Sequence, residues 1–224
     1  MNLKETLLLE IKNLSKRFEI KEHFYSKTTI FEVFKDINFK LDLGDKLNLK
    51  GANGCGKTTL VKIIAMLDNF NDGDIIFNQK SLKNLTYNEK REIRKDLILI
   101  MQNQKSALNP FKNIKWHFDM VCKNYNVRFN DELFYDFFSD DKILYQYPSE
   151  LSGGEAQIIG LLRAFFVKPK LLILDEVEAG LDKNAIKKFI KHCQAYENSM
   201  ILISHVKEIA EGICNRNYEI IKKV

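Results

Sequence analysis

Four short apolar runs punctuate the chain, and each stops at a residue suited to phosphate chemistry. Lys46–Lys50 (KLNLK) runs into a glycine-rich segment, and Leu97–Met101 (LILIM) stops at Gln102. Leu171–Leu174 (LLIL) stops at Asp175 and Glu176, and Met200–Ile203 (MILI) ends just before His205. Near-continuous apolar runs of this length suit strands covered on both faces, as in a parallel sheet. Thr59–Leu67 is apolar at helical spacing. Glu155–Val167 carries Ile158, Ile159, Leu161, Leu162, Phe165 and Phe166, which predicts a helix buried around much of its circumference. Leu7–Ile11, Ile30–Phe34 and Ile37–Leu41 read as antiparallel-type strands. From about Tyr87 to Tyr147 little strand pattern remains, and Ile114–Tyr125 and Asp131–Phe138 read as helices. A last β-like run, NYEIIKKV, covers Asn217–Val224. The expectation is an α/β protein with a mixed or parallel sheet, N-terminal antiparallel strands and a helical insertion.

Between the first apolar run and the first helix lies GANGCGKTT, Gly51–Thr59. It matches G-x-x-x-x-G-K-[ST] in the strand-to-helix context that this motif requires, and so predicts a P-loop NTPase core. Backbone N–H groups of Gly51, Ala52, Asn53, Gly54, Cys55 and Gly56 would cradle an anion, and the helix N-terminus adds positive potential. Lys57 would reach the outer phosphates of ATP, the Thr58 hydroxyl would hold Mg²⁺, and Thr59 closes the loop.

Ligands of open α/β sheets bind beyond the carboxyl ends of the strands, so Lys57, Gln102, Asp175, Glu176 and His205 should converge. Each has a plainer alternative. Asp175 could cap a strand end, but with a phosphate loop upstream it reads as a Mg²⁺ holder. Glu176 could be solvated, or polarise an attacking water as general base. His205 could be an ordinary packed or exposed histidine, or a contact to the γ-phosphate. Gln102 could be a surface amide, or a neutral side chain that binds Mg²⁺ or water and swings away without a charge penalty. A second glycine loop, LSGGE at Leu151–Glu155, precedes the long apolar helix. Ser152, Gly153 and Gly154 would form a second anion site there, although in isolation the string is explained equally well as a helix cap.

Taken together, these motifs resemble the nucleotide-binding subunits of ATP-binding-cassette (ABC) transporters over essentially the whole chain. GANGCGKTT resembles the Walker A loop of that family, Gln102 its Q-loop glutamine and LSGGE its signature. LLILDE (Leu171–Glu176) resembles the Walker B strand, AGLD (Ala179–Asp182) the D-loop, and His205 the switch histidine. The resemblance implies a single domain over 1–224, with a core of 1–86 and 165–224 and a helical subdomain at about 87–164. It also implies that Phe18 stacks on adenine, and that the signature of one subunit closes on ATP held by another. QNQKSALNP and YPSELSGGE look most like the peptide and nickel importer branch. Three departures stand out: Ile158 where the family usually has Arg, Val177-Glu178 where it has Pro-Thr, and Ala179-Gly180 where it has Ser-Ala.

Composition narrows the partners. The formal charge is +5 with acids and bases interspersed, and no basic stripe interleaved with aromatics appears, which disfavours nucleic acid. Four cysteines without a CxxC pair argue against a zinc site or disulfide framework. Cys55 lies inside the phosphate loop, where its oxidation should impair binding. Met1–Leu9 lacks the long apolar run of a signal peptide, and no stretch reaches the ~18–20 apolar residues of a membrane helix. The aromatics Trp116, Phe118, Phe134, Phe137 and Phe138 are expected in a core. The resemblance then implies a peripheral ATPase on the cytoplasmic face of the inner or plasma membrane. Its partners would be a second ATPase subunit (identical or different), integral permease subunits and, indirectly, a periplasmic or surface solute-binding protein. Two alternatives remain at this level: a soluble ABC-type ATPase of a non-transport assembly, and a catalytically quiet regulatory subunit.

Overall fold

The computed structural model of the protein describes residues 6–20 and 29–221. The strands are β1 (Leu7–Ile20), β2 (Thr29–Asp42), β3 (Lys46–Lys50), β4 (Asp72–Phe77), β5 (Lys80–Ser81), β6 (Leu97–Ile100), β7 (Leu171–Asp175), β8 (Ser199–Ile203) and β9 (Arg216–Glu219). The helices are α1 (Lys57–Ile64), α2 (Tyr87–Asp96), α3 (Ile114–Tyr125), α4 (Asp131–Phe137), α5 (Lys142–Tyr145), α6 (Gly153–Val167), α7 (Lys183–Ala195) and α8 (Lys207–Ile213). Residues 1–5, part of the Met1–Leu9 stretch considered above, and 222–224 of the final run lie outside the described residues.

Two sheets form. An antiparallel sheet has the order β2-β1-β4-β5, and a sheet with parallel pairing throughout has the order β6-β7-β8-β3-β9. The alternation of side chains explains why the strands of the parallel sheet are apolar without a break. Leu171 and Ile173 of β7 pack into a core shared with α1 and the antiparallel sheet, whereas Leu172 and Leu174 pack into a second core with α6, α7 and α8. Ile201 and Ile203 of β8 divide from Met200 and Leu202 in the same way. The fold class expected from the sequence is therefore the one observed.

One difference has a clear physical cause. The two separate runs expected at Ile30–Phe34 and Ile37–Leu41 are one strand, because Asp36 adopts a left-handed φ of 54° and shifts the inward-facing set without ending the pairing. The bounds 87–164 of the helical subdomain include the LILI run, which pairs with β7 as the edge strand β6, as the apolar pattern of Leu97–Met101 leads one to expect. Beyond β6, α3, α4 and α5 pack on one side of α6 around a third core of Ile114, Phe118, Phe134, Ile143, Ile159, Leu162 and Phe166. Phe118 and Phe134 are fully buried and Phe137 and Phe138 pack against this cluster, but Trp116 stays 36% exposed.

Phe118 sits edge-on to Phe129 and Phe134, with ring centroids 5.4 and 5.9 Å away, and tilted against Phe166 at 5.3 Å. Phe118→Ala is expected to cost about 3–5 kcal/mol in urea unfolding, since the rigid rings around it cannot collapse into the space.

Candidate functional site

The loop after β3 keeps a fixed shape through glycine. Gly51 has φ 146°, and a Cβ there would lie 2.5 Å from Cys55 Sγ and 2.8 Å from the Ile220 carbonyl. Gly56, with φ 96°, caps α1 and presses on Val33 and Phe34 of β2. No acid occupies the first turn of α1, so its N-terminal dipole is open to an anion. Lys57 is 9% exposed and donates from Nζ to the Gly51 carbonyl at 2.8 Å and the Ala52 carbonyl at 3.3 Å. The Cys55 side chain turns into the core and is 1% exposed. Burial shields the thiol from solvent, so only the Cys55 backbone remains for the loop.

Asp175 ends β7 and is 5% exposed. Burial raises its pKa above the usual carboxylate range and Glu176 adds to this, opposed by a hydrogen bond from Thr58 and by the charges of Lys62 and Lys57. Asp175 Oδ1 is buried with no hydrogen-bond partner. An unpaired carboxylate oxygen beside a hydroxyl is a donor set suited to a hard divalent cation that takes its remaining ligands from substrate and water. Among the described residues no group of three or more His, Cys, Asp or Glu could hold a metal by itself.

Glu176 follows with φ 52°, an uncommon conformation for a non-glycine residue. Its N–H donates to the Ile203 carbonyl at 2.9 Å, which continues the β7–β8 ladder past Asp175. The turn aims its carboxylate at the neighbouring strand end, where Oε1 lies 2.7 Å from His205 Nε2. Lys57, Thr58, Asp175, Glu176 and His205 thus gather at the carboxyl ends of β3, β7 and β8, as their places in the sequence predict.

Gln102 lies just past β6, at the next strand end, but its exposed side chain makes no hydrogen bond among the described residues. Two other glutamines do the anchoring there. Gln104 (7% exposed) and Gln157 (1%) both donate to the Met101 carbonyl, at 2.9 and 3.3 Å. Sequence reading passed over both, because an amide buried by distant segments leaves no local pattern. Phe18 is 42% exposed, pairs with Phe31 across β1–β2 and lies under the Lys16 ammonium at 4.5 Å. It is two residues along β1 from Lys16, whose partner Phe34 touches Gly56.

The second loop opens α6. Ser152 is its N-cap and forms a capping box with Glu155: the Ser152 N–H donates to Glu155 Oε2 at 2.7 Å, and Ser152 Oγ accepts from the Glu155 N–H at 3.2 Å. Gly154 abuts the segment after β7, where an added Cβ would lie 2.7 Å from the Gly180 carbonyl. Lys105 braces the approach to the loop by donating to the Ser149 and Leu151 carbonyls at 3.1 and 2.7 Å. Among the described residues, no hydrogen bond joins Ser152, Gly153 or Gly154 to Gly51–Thr59.

Comparison with known proteins matches residues 34–179 to a family described as ABC transporter. The oligopeptide transport ATP-binding protein OppF of Haemophilus influenzae is 30% identical over 94% of this chain and 68% of its own. The nickel import ATP-binding protein NikE of Shigella flexneri is 30% identical over 82% and 73%, and the methionine import ATP-binding protein MetN of Clostridium acetobutylicum 30% over 93% and 64%. Among solved structures, a dimeric bacterial ABC transporter cassette superposes with a TM-score of 0.80 at 20% identity, covering 95% of this chain and 94% of that one.

Asp175 provides a test of the cation site. Its raised pKa means that its ionised form opposes folding at neutral pH, a cost that disappears as pH falls through that pKa. Asp175→Asn should therefore melt no lower than the wild type at pH 7 without nucleotide, with a gain of about 2–4 °C for each kcal/mol relieved. The extra thermal stabilisation that Mg²⁺ adds to ATP in the wild type should be absent from this variant in differential scanning fluorimetry.

Proposed function

Because the chain belongs to the ABC transporter family of ATP-binding ATPases, we propose that it energises solute import through membrane-spanning subunits carried on other chains. The observation that bears most weight is the 2.7 Å pair of Glu176 and His205, set beside a carboxylate whose inner oxygen lacks a partner. A general base must reach the attacking water, and a second group must meet the charge that develops on the phosphoryl oxygens.

In this scheme the triphosphate lies on the backbone of Gly51–Gly56 and the N-terminus of α1, and Thr59 completes the loop. Lys57 exchanges its own loop carbonyls for phosphate oxygens. Thr58 and Asp175 would hold Mg²⁺, which supplies charge neutralisation across the phosphates. Glu176 orients water for in-line attack. His205 leaves Glu176 to contact the γ-phosphate, and Gln102 reports nucleotide state from the neighbouring strand end. Phe18 offers an exposed ring for adenine. Ser152, Gly153 and Gly154 serve ATP bound by a partner subunit, in keeping with their separation from the phosphate loop of their own chain. Helices α3–α5 with α6 form the subdomain that faces the permease.

Import as the direction is supported by relatives named for oligopeptide transport, nickel import and methionine import. Among the described residues no helix is long and apolar enough to cross a membrane, so a transport role requires other chains for the passage itself. The protein is then peripheral on the cytoplasmic face. It pairs with a second ATPase subunit, preferably a different one, and a solute-binding protein acts on the far side. Peptide, nickel ion and other small solutes are the substrate classes in view.

Two measurements test this. Glu176→Gln should bind ATP within a few-fold of the wild type but turn over about 100-fold or more slowly; near-normal hydrolysis would remove Glu176 from its role. Affinity purification of the native complex from detergent-solubilised membranes should recover integral membrane subunits. Recovery in the soluble fraction with none would favour a non-transport assembly.

A further inference from the structure

Two residues past Glu176, the chain places a further carboxylate, Glu178, on the same turn. Glu178 is 8% exposed, yet it is not a bystander. Ser204 Oγ donates to Glu178 Oε1 at 2.5 Å, and the same oxygen of Ser204 accepts the Val206 N–H at 3.0 Å. Glu178 Oε2 is buried with no partner. A buried carboxylate with one oxygen unsatisfied carries a desolvation cost, and such groups in native folds call for a functional account.

The neighbours of this pair suggest that account. Ser204 immediately precedes His205, and Glu178 follows Glu176 on the same turn. The segments after β7 and β8 are therefore stitched twice, by Glu176–His205 at 2.7 Å and by Glu178–Ser204 at 2.5 Å. The first stitch must open when His205 turns to phosphate. The second need not, and a bond from a hydroxyl to a carboxylate is stronger than one between neutral groups. The Ser204 hydroxyl, fixed on one side by Glu178 and on the other by the Val206 N–H, brackets the His205 backbone between two held points. On its other flank the Glu178 turn is confined, since the Glu178 carbonyl accepts the Leu181 N–H at 3.1 Å and the Gly180 carbonyl lies close against Gly154.

We propose that Glu178 is a positioning residue for hydrolysis: through Ser204 it holds the backbone of His205 in place, so that the imidazole exchanges Glu176 for phosphate by side-chain rotation alone. This rests on the roles given above to Glu176 and His205. Glu178 itself touches neither water nor nucleotide in this scheme.

The test is steady-state ATP hydrolysis by the assembled transporter complex, with ATP affinity and melting temperature measured in parallel. Ser204→Ala removes one half-buried hydroxyl, and should lower kcat roughly 10-fold or more while KM and ATP affinity stay within about two-fold. Ser204→Thr, which keeps the hydroxyl, should recover most of the rate. Glu178→Ala combined with Ser204→Ala should be no slower than the slower single variant, because both remove one interaction. A wild-type kcat in Ser204→Ala overturns the proposal, and so do losses that multiply in the double variant. A fall in melting temperature that Ser204→Thr corrects without correcting kcat also overturns it, by assigning the pair to stability. Glu176→Gln in the same assay separates the two levels. If it is inactive while Ser204→Ala is unaffected, only the positioning role fails; if it hydrolyses normally, the catalytic assignment beneath fails.

Discussion

Residues Leu171 to Asp175 pair rung by rung with Ser199 to Ile203, and the Glu176 N–H carries that ladder one step further onto the Ile203 carbonyl. Asp175, Glu176, Glu178, Ser204 and His205 are all placed by this register. The strands lie about 4.8 Å apart, so side chains leaving adjacent strand ends meet with little freedom to spare. A slip of one residue would move each strand by about 3.3 Å and reverse its two faces. Leu172 and Leu174 would then leave the core they share with Met200 and Leu202, at a cost of several kcal/mol. The hydrophobic division of these strands between two cores thus does more than hold the sheet together. It also places a carboxylate and an imidazole within hydrogen-bond reach at neighbouring strand ends.

The charge arrangement around that register is opposed within itself. Three carboxylates, Asp175, Glu176 and Glu178, sit beside a loop shaped for a polyanion. Asp175 has a pKa raised chiefly by burial, with Glu176 adding to it, and an unpaired oxygen, and Glu178 has a second unpaired oxygen. The cationic side is supplied by Lys57 and by the uncapped N-terminus of α1, which the strand order β8-β3 brings next to the acids. Acid and base are kept apart by sequence and brought together by topology. Local stability is given up for a site whose charges are matched only when it is filled.

Much of this was legible in the sequence. The phosphate loop could be read because Gly51 and Gly56 have backbone angles or close contacts that a side chain would strain, and because an apolar strand and an amphipathic helix flank it. The strand ends could be read because doubly buried strands leave unbroken apolar runs. Other features had no such signal. Helix α2 has no buried residue and is fixed by its Thr86–Glu89 capping box, so hydrophobic periodicity passes over it. Helix α7 does carry a signal, an Asp182 cap followed by buried Ala185, Phe189 and Cys193 at four-residue steps. The insertion of β3 between β8 and β9 follows from no local pattern, and with it went any view of which strand ends would be neighbours. The buried amides of Gln104 and Gln157 and the inward turn of Cys55 likewise depend on segments far away in the chain.

The grip of Lys57 on the carbonyls of Gly51 and Ala52 has a consequence for discrimination among nucleotides. The cradle is braced by its own ammonium, so a bound polyanion would swap oxygens around one cation instead of recruiting that cation from solvent. Only a guest with anionic oxygens far enough along its tail can outbid two neutral carbonyls for it. A neutral nucleoside would leave the brace untouched and draw nothing from it.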